Sequence, residues 1–286
     1  MTKKRVQLLP HLVTLGNAFC GLLALAKGVD ALTLSGTDPS VFYKKMEFAC
    51  FLIFLGMILD GLDGFVARLV GSSSEFGVQL DSFSDALTFG IVPPMLAKIL
   101  IEHESDLVHY VGDPRLHFTA AAIFSLMAIL RLARYNLEPE SEQEVKGFRG
   151  LPSPAAAGTV AATIWLYLIL RRPELERNEG TPTPLHRILG WMETVHWSPI
   201  LEWVPVLLIG ALPVLGLLMV SNVRYVHAVS YLTAQGQFVT LVGLVFLIVL
   251  LFLAPVPFLF LSFVGFTVSG LLVPLLRGLR SRPSPP

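Results

Sequence analysis

ILDGLDGFVARLVGSSSEFGVQLDSFSDALTFGIVPP, residues 58–94, sets four aspartates, Asp60, Asp63, Asp81 and Asp85, into sequence that is otherwise mostly apolar. An aspartate at the centre of a lone membrane helix costs about 2.5–3.5 kcal/mol on insertion scales, so four of them together require a compensating task.

The chain around this stretch is that of a membrane protein. It is 53% hydrophobic and only 15% charged, against roughly 25% charged residues in ordinary soluble domains. A hydrocarbon core about 30 Å thick is crossed by about 20 apolar residues in a helix. That ruler selects 11–32, 44–69, 79–101, 117–137, 152–171, 202–221, 236–254 and 256–276. The expected fold is all-α, a polytopic transmembrane helix bundle. The prolines of APVP, 254–257, suit a tight turn between the last two spans, which would run antiparallel.

The amino-terminal MTKKRVQLLPHLVTLGNAFCGLLALA has the basic-then-apolar order of a signal peptide, but its apolar part runs long, contains Asn17 and lacks an A-x-A site. It reads as a retained first helix. With Lys3, Lys4 and Arg5 inside, the cytoplasmic side also receives Arg68, the 131–150 segment, Arg224, Arg277, Arg280 and Arg282. The aspartates then lie at the cytoplasmic face of the cell membrane. A formal net charge of zero gives no global basic field for nucleic acid. Cys20 and Cys50 lack metal-ligand spacing and read as small core residues.

Asp60 and Asp63 stand at i, i+3, with Gly64 and Ala67 continuing their face. Gly77, Asp81 and Asp85 stand at i, i+4, i+8 on the next helix. The short VGSSSE connection makes the two helices antiparallel neighbours, so their carboxylates can converge. An oxygen-only cluster without His or Cys suits a hard divalent cation, Mg²⁺ or Mn²⁺, of the kind that grips phosphates. Gly64 and Gly77 leave room for a nucleotide to approach the backbone. Arg68 serves either phosphate contact or loop structure. A helix cap at Asp81 and a cation or proton path in a transporter are the competing readings at this point.

The pattern Asp60-x-x-Asp63-Gly64-x-x-Ala67-Arg68, eight residues, then Gly77-x-x-x-Asp81-x-x-x-Asp85 resembles the signature of the CDP-alcohol phosphotransferase family. The resemblance implies a six-helix core, with about two additional C-terminal helices here. It divides the chain into a catalytic transmembrane domain, 1–226, and a C-terminal hairpin with tail, 227–286. It also implies two divalent metals, with Asp60, Asp63 and Asp81 as ligands. Asp85 becomes the general base, with possible metal contact. Gly64, Ala67, Arg68 and Gly77 become CDP contacts, and homodimerisation is expected.

LPHLVTLGNAFCGLLAL, DSFSDALTFGIVPP, ILRLARYN, GFRGLPSPAAAG and GLLMVSNVRY look like the bacterial branch that transfers a phosphatidyl group from CDP-diacylglycerol to the hydroxyl of L-serine, releasing CMP. His11 departs from that branch, where Asn is expected after the proline. On this resemblance Arg131 and Arg134, i, i+3 on one face, with Lys146 and Arg149 in the following loop, bind serine or phosphate. Thr14 and Asn17, i, i+3 on the first helix, are nucleotide contacts or an interhelical polar pair. Glycerol 3-phosphate and inositol phosphate are the alternative acceptors.

Overall fold

The computed structural model describes residues 8–34, 39–70, 75–105, 113–137, 148–171, 198–225 and 237–280. The expected spans all appear as helices: α1 Leu8–Leu34, α2 Pro39–Val70, α3 Glu75–Glu104, α4 Pro114–Leu137, α5 Ser153–Arg171, α6 Trp203–Val220, α7 Gln237–Leu253 and α8 Pro255–Arg280. The first six are long and apolar enough to cross a membrane. The protein is a polytopic helical membrane bundle. Lys146 lies outside the described residues.

Small residues set how closely the helices approach, because lipid tails give apolar side chains no hydrophobic reason to leave them. Ala24 and Ala31 of α1 and Ala49 and Cys50 of α2 are buried, and α1 and α2 pack along one another. Cys20 and Cys50 are free thiols inside the core, as expected. On α5, Ala155, Ala156, Ala157 and Gly158 form a buried run at the helix start. α4 packs on α6, and α5 packs on α8.

Helix α3 departs from regularity at its most informative point. Residues Ala86–Ile91 are π-helical, beginning directly after Asp85. Val92 N–H donates to Leu87 O, and Pro93 and Pro94 follow. Prolines inside a helix remove donors and crowd the preceding turn. The wider π turn lets the helix continue through them to Glu104, and such turns frequently mark functional positions.

Two features differ from the sequence expectation. Two-residue strands β1, Phe148–Arg149, and β2, Arg224–Tyr225, pair antiparallel, with Arg149 opposite Arg224. Runs this short carry no period-2 signal. The second is the junction of α7 and α8. Ala254 N–H donates to Leu250 O at 2.9 Å and Ala254 O accepts from Phe258 N–H at 3.0 Å. Helical bonding on both sides of Ala254 carries α7 into α8 without a loop, where a tight turn between antiparallel helices was expected.

The ends of α1 near Thr14, α2 near Asp63, α3 near Asp81, α4 near Arg131 and the start of α5 gather at one end of the bundle. The opposite end is locked separately. There Glu104, fully buried, accepts from Tyr43 Oη at 2.8 Å and faces Arg171 Nε at 3.6 Å.

Candidate active site

Asp60, Asp63 and Asp81 each bring a carboxylate oxygen within 4.8 Å of the other two. The antiparallel α2–α3 pair does this, as the two spacings predicted. Asp81 lies well inside α3, so capping does not explain it. Asp63 Oδ2 and Asp81 Oδ1 are buried and have no hydrogen-bond partner among the described residues. Buried polar atoms are nearly always satisfied, so orphaned carboxylate oxygens pointing at one another fit a cation between them. The residues present suit Mg²⁺ or Mn²⁺.

Asp85 stands outside this triad. Its Oδ1 accepts from Asn17 Nδ2 at 3.3 Å, and its carboxyl lies in hydrogen-bonding contact with that of Asp60. Asn17 is fully buried, and its backbone carbonyl accepts from Thr88 Oγ1 at 3.1 Å within the π segment. A Cβ on Gly21 would overlap the Thr88 hydroxyl, so α1 meets the π turn at backbone distance. Thr14, also buried, donates to Pro10 O at 3.0 Å and stands beside the Asp63 carboxylate.

Space is left open where the signature glycine falls. Among the described residues a Cβ at Gly64 would meet only Arg68 Nη1, at 3.9 Å, so the guanidinium reaches back over this opening. Ala67 and Gly77 are half-buried, whereas Arg68 is exposed. His11, the departure noted above, packs edge-on against Phe76 with ring centroids 5.5 Å apart. Phe76 borders an open cavity of about 370 Å³ with Glu75, Val78 and Gln79.

Arg131 approaches from α4. Its Nη1 donates to Ser153 Oγ at 2.8 Å, its Nε is buried without a partner among the described residues, and it lies within electrostatic range of Asp85. An unspent guanidinium donor beside an acid site suits an anionic ligand. Arg134 instead reaches Val220 O at the end of α6, at 3.4 Å. That is a contact with an unsatisfied helix C-terminal carbonyl. Asn136 Nδ2 donates to Ser82 Oγ at 2.8 Å, tying α4 to the aspartate helix. Arg149 is exposed on β1.

Ser153, Thr88 and Ser82 carry no sequence signal that marks them as supports. Each becomes meaningful only through a partner far away in the chain.

A family model described as CDP-alcohol phosphatidyltransferase matches residues 7–197. The chain belongs to this family. Curated relatives bear the name CDP-diacylglycerol–serine O-phosphatidyltransferase. The Helicobacter pylori (strain ATCC 700392 / 26695) protein is 31% identical over 162 residues, 56% of this chain and 58% of the relative. The Bacillus subtilis (strain 168) protein is 33% identical over 148 residues, 52% of this chain and 70% of the relative. A Methanocaldococcus jannaschii protein reaches 43% over 106 residues, 37% of this chain and 45% of the relative. The matches thus span 45–70% of these relatives' lengths. Membership of this family sets aside the transporter reading.

Proposed function

We propose that the protein transfers the phosphatidyl group of CDP-diacylglycerol to the hydroxyl of L-serine, forming phosphatidylserine and CMP. The names of the relatives supply the substrates. The observation that carries the site is the pairing of a triad with orphaned oxygens and a fourth carboxylate, Asp85, held by Asn17 and in contact with Asp60.

Asp60, Asp63 and Asp81 would hold the divalent metal, Mg²⁺ or Mn²⁺ and two ions by family resemblance, with possible contact from Asp85. When bound, the metal supplies charge neutralisation for the diphosphate. Serine's hydroxyl is a weak nucleophile at neutral pH, and a carboxylate within hydrogen-bond reach can take its proton as the new bond forms. Asp85 has that role. Serine Oγ forms a bond to the lipid-bearing phosphorus, and the bond from that phosphorus to the bridging oxygen of CMP breaks. The proton resides on Asp85, and CMP leaves with the bridging oxygen's electron pair.

Gly64, Ala67, Arg68 and Gly77 border the nucleotide, with Thr14 beneath it, while Asn17 holds Asp85. Arg131 holds the carboxylate of serine or the lipid phosphate, assisted by Arg134, Lys146 and Arg149. Basic residues near this end support its placement on the cytoplasmic side of the plasma membrane. Residues 1–226 form the catalytic unit and 227–286 an addition to it; the working form is a homodimer.

Purified protein in detergent is assayed for CMP release with serine, glycerol 3-phosphate and inositol phosphate in parallel, each with and without EDTA. Serine-dependent, EDTA-sensitive release is expected. Release with another acceptor and none with serine overturns the acceptor, and EDTA-insensitive turnover overturns the metal assignment.

A further inference from the structure

The C-terminal helices lie beyond the six-helix core, and simple membrane anchoring would ask only that they be apolar. Helix α8 does more than that at the end of the bundle where the active site lies. Tyr225 of β2 is 2% exposed, its ring lies 5.3 Å from that of Phe266, and its hydroxyl reaches Thr267 O at 3.4 Å. A Cβ on Gly270 would overlap the Tyr225 ring, so the ring occupies the space the glycine leaves. Burial pushes the Tyr225 phenol above its ordinary range, which keeps it a neutral donor.

The same stretch of α8 is fixed to α5. Thr267 Oγ1 and Thr159 Oγ1 are 2.9 Å apart, Thr159 also donates to Phe263 O at 3.3 Å, and Phe263 packs over Gly158. From Tyr225 the contacts run towards the acceptor side. β2 pairs with β1, Gly150 N–H donates to Val223 O at 2.8 Å, and Leu151 N–H donates to Leu218 O at 3.0 Å. Gly150 has φ +79°, a conformation that favours glycine, and a Cβ there would collide with Met219 O. Two residues past Leu151, Ser153 Oγ accepts the hydrogen bond from Arg131.

We propose that Tyr225 is a positioning residue, docked on Thr267 and Gly270 of α8, that fixes the β1–β2 clasp and through it the Arg131–Ser153 pair that receives serine. The C-terminal helix is then a part of the acceptor subsite. This rests on the serine reading given above.

The full-length protein in detergent tests it through Tyr225→Ala and Gly270→Ala, with Tyr225→Phe as the conservative variant and Ser269→Ala, on the exposed face of α8, as the control. Hydrogen exchange at Gly150 and Leu151 should quicken by about tenfold or more in the first two variants, and the KM for serine should rise about tenfold. The KM for CDP-diacylglycerol and kcat should stay within about threefold of the parent protein. Tyr225→Phe keeps the ring contacts and should retain most of the parent behaviour, and Ser269→Ala should match it. Unchanged exchange in both variants overturns the docking. Faster exchange with an unchanged serine KM overturns the acceptor role, as does a general loss of exchange protection throughout α1–α6. If the parent protein releases no CMP with serine, the substrate reading and the acceptor role fall together, while exchange still decides whether α8 fixes the clasp.

Discussion

Asn17 Nδ2 and Asp85 Oδ1, 68 residues apart in the chain, meet at 3.3 Å in a pocket where Asn17 has no solvent exposure. An amide donor so placed orients the Asp85 carboxyl, which also lies in hydrogen-bonding contact with that of Asp60. The backbone of Asn17 is itself fixed by Thr88 in the π turn. Asn17→Ala is therefore expected to lower kcat about 10–100-fold while the KM for CDP-diacylglycerol moves little. Asn17→Asp, which sets a second anion beside Asp85, should be worse. A dominant rise in the CDP-diacylglycerol KM would instead identify Asn17 as a nucleotide contact.

Asp85→Asn should lower kcat by about 10³-fold or more while Mn²⁺ binding, read by electron paramagnetic resonance, is largely retained. Asp63→Asn and Asp81→Asn should weaken Mn²⁺ binding outright, because each removes a charge from the triad. Equal loss of Mn²⁺ in all three variants would show that Asp85 is as much a metal ligand as the others.

Arg131→Lys retains a positive charge but loses the planar fork that serves Ser153 and leaves Nε unspent. The serine KM is expected to rise about 10–100-fold, with a smaller change in kcat. Parallel titrations of serine and CDP-diacylglycerol decide whether the guanidinium holds the acceptor or the lipid phosphate.

Gly64→Val should raise the KM for CDP-diacylglycerol about tenfold or more without lowering the melting temperature. The position opens onto space bordered by Arg68, so the added methyls meet ligand rather than protein. A large fall in melting temperature with unchanged KM would make Gly64 a packing residue.

At the opposite end, Glu104→Ala leaves Tyr43 and Arg171 without the buried carboxylate they share. Breaking a buried charged pair from one side costs about 3–5 kcal/mol. A strongly lowered thermal midpoint in detergent is expected, with CMP release near normal at low temperature because the cluster is remote from the acid site.

The spans were readable because a membrane imposes one length and one composition on any helix that crosses it. The acidic faces were readable because Asp60 and Asp63, and Asp81 and Asp85, repeat at helical spacing. Other features were hidden for a common reason. The π turn after Asp85 and the β1–β2 clasp each depend on how a few residues meet a distant neighbour, and neither has a local period. Arg131 and Arg134 share a helix face in the sequence, yet Arg131 keeps a donor unspent near Asp85 while Arg134 turns to Val220 O.

By itself the sequence determined a multi-pass helical bundle, its signature residues and the helix pair that carries the aspartates, because hydropathy and helical period act locally. Only the tertiary structure gave Asp85 its partner Asn17, set it against Asp60 at the edge of the triad, and docked α8 onto Tyr225. Those outcomes depend on lateral packing between helices, where backbone approach and buried hydrogen bonds join residues that no spacing in the chain connects.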